Sequence, residues 1–316
     1  MLYGIVFVVL ILAELLYFRV ADYFNIIDKP NERSSHSSIT LRGGGIIFYF
    51  GALAYFFISG CTNPWFMLGL TLISGISFID DIHSISQRNR LVIHFTAMLL
   101  MFYQWGLFTE YPWWYILIAL IVCTGIINAY NFMDGINGIT GGYSLIVVGA
   151  LAYINQFVVP FIESDFLYVT ILALIAFCIF NFRKKAKCFA GDVGSVAIAF
   201  IILFALGKLI LQTGDLTYIV LLAVYGVDSV LTIVHRILLH ENIGLPHRKH
   251  FYQIMANELR VPHVAVSSLY MLVQAIVVIG FIYFEACHWS YLIFVILLLS
   301  LIYILFMKKY FHLHKG

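Results

Sequence analysis

Eleven apolar stretches, at positions 2 to 19, 44 to 60, 65 to 79, 91 to 109, 113 to 127, 139 to 160, 166 to 182, 196 to 212, 216 to 234, 262 to 284 and 288 to 307, constrain this chain more than any other feature. A helix of about 20 mainly apolar residues crosses the hydrocarbon core of a bilayer. No water-soluble core hides so much. Of the 316 residues 62% are hydrophobic and 11% charged, against roughly half and a quarter in a soluble domain. The expectation is an all-α, polytopic integral membrane protein, one transmembrane domain over 1 to 316, without a separate soluble unit, linker or fixed-period repeat. The first stretch has no basic residue ahead of it and Arg19, Lys29 and Arg33 behind it, so it reads as a retained anchor rather than a cleaved leader.

Charge then assigns the sides. With the N-terminus outside, the loops beginning at 20, 80, 128, 183 and 235 and the C-terminal tail share one face. Setting aside Arg19 and Lys208, which lie in or at the edge of apolar stretches, sixteen of the eighteen Lys and Arg fall there, and the short opposite loops hold none. The positive-inside rule makes that face cytoplasmic. A net charge of +2 implies no nucleic-acid patch. The five cysteines, with Cys123 and Cys178 inside apolar stretches, read as reduced, buried thiols.

Polar groups gather on the same face. Asp80 and Asp81 close the third stretch in SGISFIDDIHSISQRNRL. Adjacent carboxylates repel and persist where a cation or a proton is shared, although a solvated helix end would also carry them. NAYNFMDGING at 128 to 138 sets Asn128, Asn131 and Asp134 three apart on one helical face, a spacing suited to a polar substrate. Its glycines and Gly141 and Gly142 allow a close backbone approach or open a helix whose amides welcome an anion. CFAGDVGS at 188 to 195 frames Asp192 with glycines beside Arg183, Lys184, Lys185 and Lys187, and such an acid suits Mg²⁺. Lys187 reads equally as a topology signal and as a phosphate clamp. VHRILLHENIGLPHRKHFYQ brings His247, Arg248 and His250, a set that suits phosphate better than zinc. DKPNERSSHSSITLRGGG from Asp28 to Gly45 adds Arg33, His36 and Arg42.

Taken in order, DKPNERSSH, RGGG, FIDD, NAYNFMDG, AGDVGS and HRKHFYQ resemble the polyprenyl-phosphate sugar-1-phosphate transferases, the superfamily of WecA-like, WbpL-like and MraY-like enzymes, also classed as glycosyltransferase family 4. The likeness covers about 225 residues, and eleven spans with an outside N-terminus is the WecA-like arrangement. It departs at Asn137, where the family often has a second acid, at Leu41, where it has Pro, and at Ala190, where it has Met. The triple histidine of the peptidoglycan branch is missing, and HRKHFYQ looks like the WbpL-like branch.

The resemblance implies transfer of an N-acetylhexosamine 1-phosphate from a UDP-sugar to undecaprenyl phosphate at the cytoplasmic face of a bacterial inner membrane. UMP is released, Mg²⁺ or Mn²⁺ is required, and the product starts a surface glycan such as O-antigen or capsule. It implies that Asp192 binds the metal and that the pair Asp80 and Asp81 serves either metal binding or deprotonation of the acceptor phosphate. The favoured division puts Asp81 on the metal and makes Asp80 the activator of the acceptor. Asn128, Asn131, Asp134 and Asn137 belong with the nucleotide, Phe189 stacks on uracil, and Arg42, Lys187, His247, Arg248 and His250 hold phosphates. A homodimer is compatible with this reading. The rival class is a transporter of a polar solute, which would bring ionisable groups and broken helices to the midplane.

Overall fold

A computed structural model describes residues 1–28, 39–245 and 247–314. Arg33 and His36, expected near phosphate, lie outside the described residues. Each expected apolar stretch falls on a helical segment. The helices are α1 (Leu2–Tyr23), α2 (Ile46–Ile58), α3 (Pro64–Ile82), α4 (Gln87–Gln104), α5 (Leu107–Glu110), α6 (Trp113–Met133), α7 (Ile139–Phe157), α8 (Ser164–Asn181), α9 (Gly191–Thr213), α10 (Ala223–Leu238), α11 (Phe251–Gln253), α12 (His263–Tyr283) and α13 (His288–Tyr310). A 3₁₀ segment, Leu216–Leu222, leads into α10, and a π turn, Ile254–Glu258, follows α11. Eight helical segments among the described residues are long and apolar enough to cross a membrane. The protein is an all-α polytopic membrane protein.

Several helices run past their apolar stretches, and three of these overruns carry expected site residues. α3 continues through Asp80 and Asp81, α6 through Asn128 and Asn131, and α9 begins at Gly191. The backbone ladder is indifferent to what the side chains carry, whereas hydropathy stops at the first polar group. The stretch 91 to 109 is interrupted, because Trp105 ends α4 and Gly106, at φ +78°, turns the chain into α5.

α9 is the axis of the bundle, with 83% of its apolar window buried, against 28% for α1 and 22% for α6. A helix apolar all round belongs inside. It packs against α2, α3, α6 and α7, and Phe66 of α3 stacks on Phe204 at 4.1 Å between ring centres. α3 and α4 meet at Gly69, where a Cβ would come within 2.8 Å of the Ala97 carbonyl oxygen.

One short antiparallel pair lies at the polar end: β1 (Ile27–Asp28) and β2 (Thr40–Leu41), in register Ile27 to Leu41 and Asp28 to Thr40. Leu41 also bridges in parallel to Cys188. The RGGG segment is thereby zipped onto the turn before α9: Phe189 N–H donates to the Leu41 carbonyl (2.8 Å), Gly44 N–H to Phe189 (2.9 Å) and Gly45 N–H to Ala190 (3.1 Å). The approach is closed to side chains, since a Cβ on Gly45 would stand 2.3 Å from the Gly194 Cα.

Candidate functional site

The zipped turn and the end of α3 place three carboxylates and two guanidinium groups together. Arg42 Nε pairs with Asp81 Oδ1 at 2.7 Å, and its Nη2 reaches Asp192 Oδ1 at 3.3 Å. Arg90, one turn into α4, pairs through Nη1 with Asp80 Oδ2 at 2.7 Å and Asp192 Oδ2 at 3.5 Å. The three acids divide by surroundings. The Asp81 side chain is fully enclosed; its Oδ1 accepts the Asp192 amide (2.9 Å) and its Oδ2 the Val193 amide (3.0 Å). It thus caps the N-terminus of α9, where orphan amides and the helix dipole favour an anion. Asp80 and Asp192 keep side-chain exposures of 10% and 17%. Gly191, at φ +72°, makes the turn possible, and a Cβ there would lie 2.6 Å from Asp81 Oδ2. α1 braces the same turn through Tyr17, whose hydroxyl donates to the Arg42 carbonyl at 2.5 Å.

Arg90 also lines a cavity of about 790 Å³ between α4, α6 and the loop after α10. The spacing along α6 brings Asn128, Asn131 and Asp134 onto its wall, together with His247 and His250. Burial pushes the Asp134 carboxyl up to about 7; the charges of Asp192 and Asp81 add to the rise, and a Thr140 hydrogen bond and Arg42 oppose it. Burial first, then the neighbouring His250 ring and the Arg236 charge, push His247 down to about 3. It is neutral at physiological pH, with Nδ1 accepting the Lys249 amide (3.3 Å) and Nε2 left as the donor. The loop carrying both histidines is pinned by Arg236, 3% exposed. Its guanidinium donates to Glu241 and to the carbonyls of Asn242, Ile243 and Leu245.

The expected residues therefore form two groups joined by Arg90. Arg42, Asp80, Asp81 and Asp192 make the ion-pair cluster, and Asn128, Asn131, Asp134, His247 and His250 make the cavity wall. Lys187, Phe189, Arg248 and Asn137 are not among the cavity's lining residues. Asn137 is 5% exposed, and its amide donates to the carbonyls of Arg183 (2.9 Å) and Lys184 (3.3 Å), so here it shapes the basic loop. Sequence reasoning passed over Arg90 and Asp228. The signals were an Arg four residues after the N-cap Ser86 of the helix facing FIDD, and a lone acid inside the apolar stretch 216 to 234.

Two carboxylates with partly open oxygens suit a hard divalent ion. Among the described residues no group of three or more His, Cys, Asp or Glu is set to hold a metal; Mg²⁺ takes one or two carboxylates and completes its shell with water and substrate phosphate, a donor set that Asp80 and Asp192 could begin. Asp81, expected as a ligand, is instead enclosed and engaged with the α9 amides and Arg42.

Residues 63–210, which carry FIDD, NAYNFMDG and AGDVGS, match the model of glycosyl transferase family 4. Over 285 residues the chain is 27% identical to a probable undecaprenyl-phosphate N-acetylglucosaminyl 1-phosphate transferase of Bacillus subtilis, covering 84% of this chain and 77% of the relative. It is 28% identical over 200 residues to an undecaprenyl-phosphate α-N-acetylglucosaminyl 1-phosphate transferase of Yersinia pestis (58% and 55%). It is 28% identical over 208 residues to a phospho-N-acetylmuramoyl-pentapeptide-transferase of Thermotoga maritima (60% and 66%). These relatives are sugar-phosphate transferases and do not favour the transporter class. With its motifs gathered around the cluster and cavity described above, the chain is similar to glycosyl transferase family 4 over residues 63–210 and to these sugar-phosphate transferases over a longer stretch.

Proposed function

We propose that the chain transfers an N-acetylhexosamine 1-phosphate from a UDP-sugar to undecaprenyl phosphate, forming undecaprenyl-diphospho-sugar and UMP and so initiating a cell-surface glycan. The observation that carries this reading is Arg90, which joins an acid cluster at one helix end to a polar cavity large enough for a nucleotide sugar. The names of the relatives support the same reaction class.

In this reading the acceptor phosphate oxygen attacks the donor's β-phosphorus, the bond from that phosphorus to the α-phosphate's bridging oxygen breaks, and UMP departs with the electron pair. Such transfers depend on positioning and on neutralising charge. Asn128, Asn131 and Asp134 hold the nucleotide, with Asn137 behind them. Lys187 contributes positive charge for the phosphates and Phe189 a ring for uracil, the roles the family resemblance implies. His247, Arg248 and His250 face the phosphates. Asp80 takes the acceptor's last proton, a light task because the second pKa of a phosphate monoester is about 6. Asp192, with Asp80 beside it, would hold Mg²⁺, which would supply Lewis-acid stabilisation of the diphosphate charge. Arg42 and Arg90 keep the acids from repelling one another and prevent a wholly anionic cluster from rejecting an anionic substrate.

The polar end faces the cytoplasm of a bacterial inner membrane, where a soluble donor and a lipid-borne phosphate meet. The test is to incubate purified protein with Mg²⁺, undecaprenyl phosphate and a panel of UDP-N-acetylhexosamines and to assay UMP. The expected result is UMP with at least one donor and none from Asp192→Asn. No UMP with any donor, together with an Asp192→Asn variant that behaves as wild type in the cell, overturns the reading.

A further inference from the structure

Asp228 sits in α10 on an otherwise apolar span, and the reaction as described leaves it unused. An acid at such a depth persists where its neighbours satisfy it. Asp228 is 4% exposed, and its Oδ2 accepts the Tyr270 hydroxyl at 2.6 Å. Oδ1 accepts the Phe251 amide (3.0 Å) and the Thr232 hydroxyl (3.2 Å), and it faces His250 Nδ1 at 3.3 Å. Thr232 is itself bonded to the Tyr303 hydroxyl at 2.9 Å. α10, α12 and α13 thus converge on one carboxylate, and that carboxylate meets one end of one imidazole.

The other end of the ring is unmet. His250 is 1% exposed, its Nε2 is buried without a partner among the described residues, and the residue lines the cavity. A buried ring nitrogen left unpaired in a polar cavity calls for a ligand atom. His250 also faces the Gln253 backbone amide in a capping box at the start of α11, a contact that asks Nδ1 to accept. A carboxylate can only accept, and a charge-assisted bond outweighs a neutral one, so the Asp228 contact puts the proton on Nδ1.

We propose that Asp228 is a positioning residue for donor binding: it fixes the orientation and Nδ1 proton of His250 so that Nε2 is offered to a phosphate oxygen of the nucleotide sugar. Binding of that anionic oxygen takes up one proton from solvent onto Nε2, so that the new N–H donates to the phosphate. The imidazolium then lies between two anions, the phosphate and Asp228. The inference rests on the transferase reading of the cavity and adds to it an acid that touches no substrate.

The test compares UMP with uridine, two ligands that differ by the phosphate alone, by calorimetry on the full-length protein. Asp228→Asn and His250→Gln should each weaken UMP binding about tenfold, the size expected for one charge-assisted bond, and leave uridine unchanged. Because Asp228 acts through His250, Asp228→Asn should add nothing in the His250→Gln background. Tyr270→Phe, which removes only the Oδ2 bond, is expected to lower the unfolding midpoint while keeping the UMP-to-uridine ratio, so loosened packing is separable from lost positioning. The proposal is overturned if Asp228→Asn leaves UMP affinity intact, if it weakens both ligands equally, or if its effect adds fully to that of His250→Gln. Wild-type protein that binds neither ligand would instead remove the transferase reading itself.

Discussion

Arg90 holds the two acids of the cluster that keep some exposure, and among the described residues it is the cation paired with Asp80. Replacing it with Met should lower kcat/KM for UMP release about 100-fold, equivalent to about 2.7 kcal/mol of transition-state stabilisation. A loss below about threefold in that assay would remove Arg90 from the mechanism. Asp81 behaves differently. Its enclosed carboxylate answers Arg42 and two helix amides, so Asp81→Ala should destabilise the fold by about 3–5 kcal/mol, the range for breaking a buried ion pair, seen as a lower unfolding midpoint in detergent. Asp134 gives a pH signature. Its folded-state pKa near 7 lies above the unfolded value of about 3.9, so the folded state holds this proton more tightly. The contribution is whole below about pH 4 and is lost as pH rises through about 7. Unfolding midpoints of ligand-free protein between about pH 5 and about pH 8 should therefore fall more steeply for wild type than for Asp134→Asn. Parallel slopes would contradict the assignment. At this scale the sequence was informative where spacing settles geometry, as in the α6 face of Asn128, Asn131 and Asp134. It was silent on the division among Asp80, Asp81 and Asp192, because which carboxylate is enclosed depends on how α9 docks against α3, a contact across 111 positions of chain.

Helix ends, more than helices, build this site. α3, α6 and α9 all extend past their apolar stretches into the polar layer, and the acids and amides ride on those extensions. Apolar periodicity located the segments to within a few residues, yet it could not see that the polar motifs continue them, since hydrogen bonding in the backbone carries no hydropathy signal. The glycines of RGGG and AGDVGS were legible as a close approach, and their partners were not. Gly194→Ala would bring a Cβ to 2.6 Å from the Gly45 Cα. With backbone on the receiving side, the strain should cost about 1–3 kcal/mol, as overpacking does, and should shift Arg42 and Asp192 together. A lowered midpoint with a disproportionate loss of UMP release is the expected pair of results. Full activity in Gly194→Ala would show that the zipped turn does not position the cluster.

Across the whole molecule, the polar end and the far end are separated by helices that expose apolar side chains to their surroundings, as Leu297 and Ile121 do at 64% and 73%. Two native cysteines, Cys61 and Cys287, are exposed and free, and both lie in loops that the charge pattern places outside. In whole cells a membrane-impermeant thiol reagent should label these two. A Lys187→Cys variant should react only after the membrane is opened; labelling of that position in intact cells would invert the topology. The central claim is that a sugar and its phosphate move together, and an isotope on the donor's β-phosphate tests it most directly. Incubated with Mg²⁺, undecaprenyl phosphate and a β-³²P-labelled UDP-N-acetylhexosamine that the protein accepts, the label should pass into the lipid and leave UMP unlabelled. Label retained in soluble UDP while sugar reaches the lipid would contradict phosphate transfer and make the chain a different kind of glycosyltransferase.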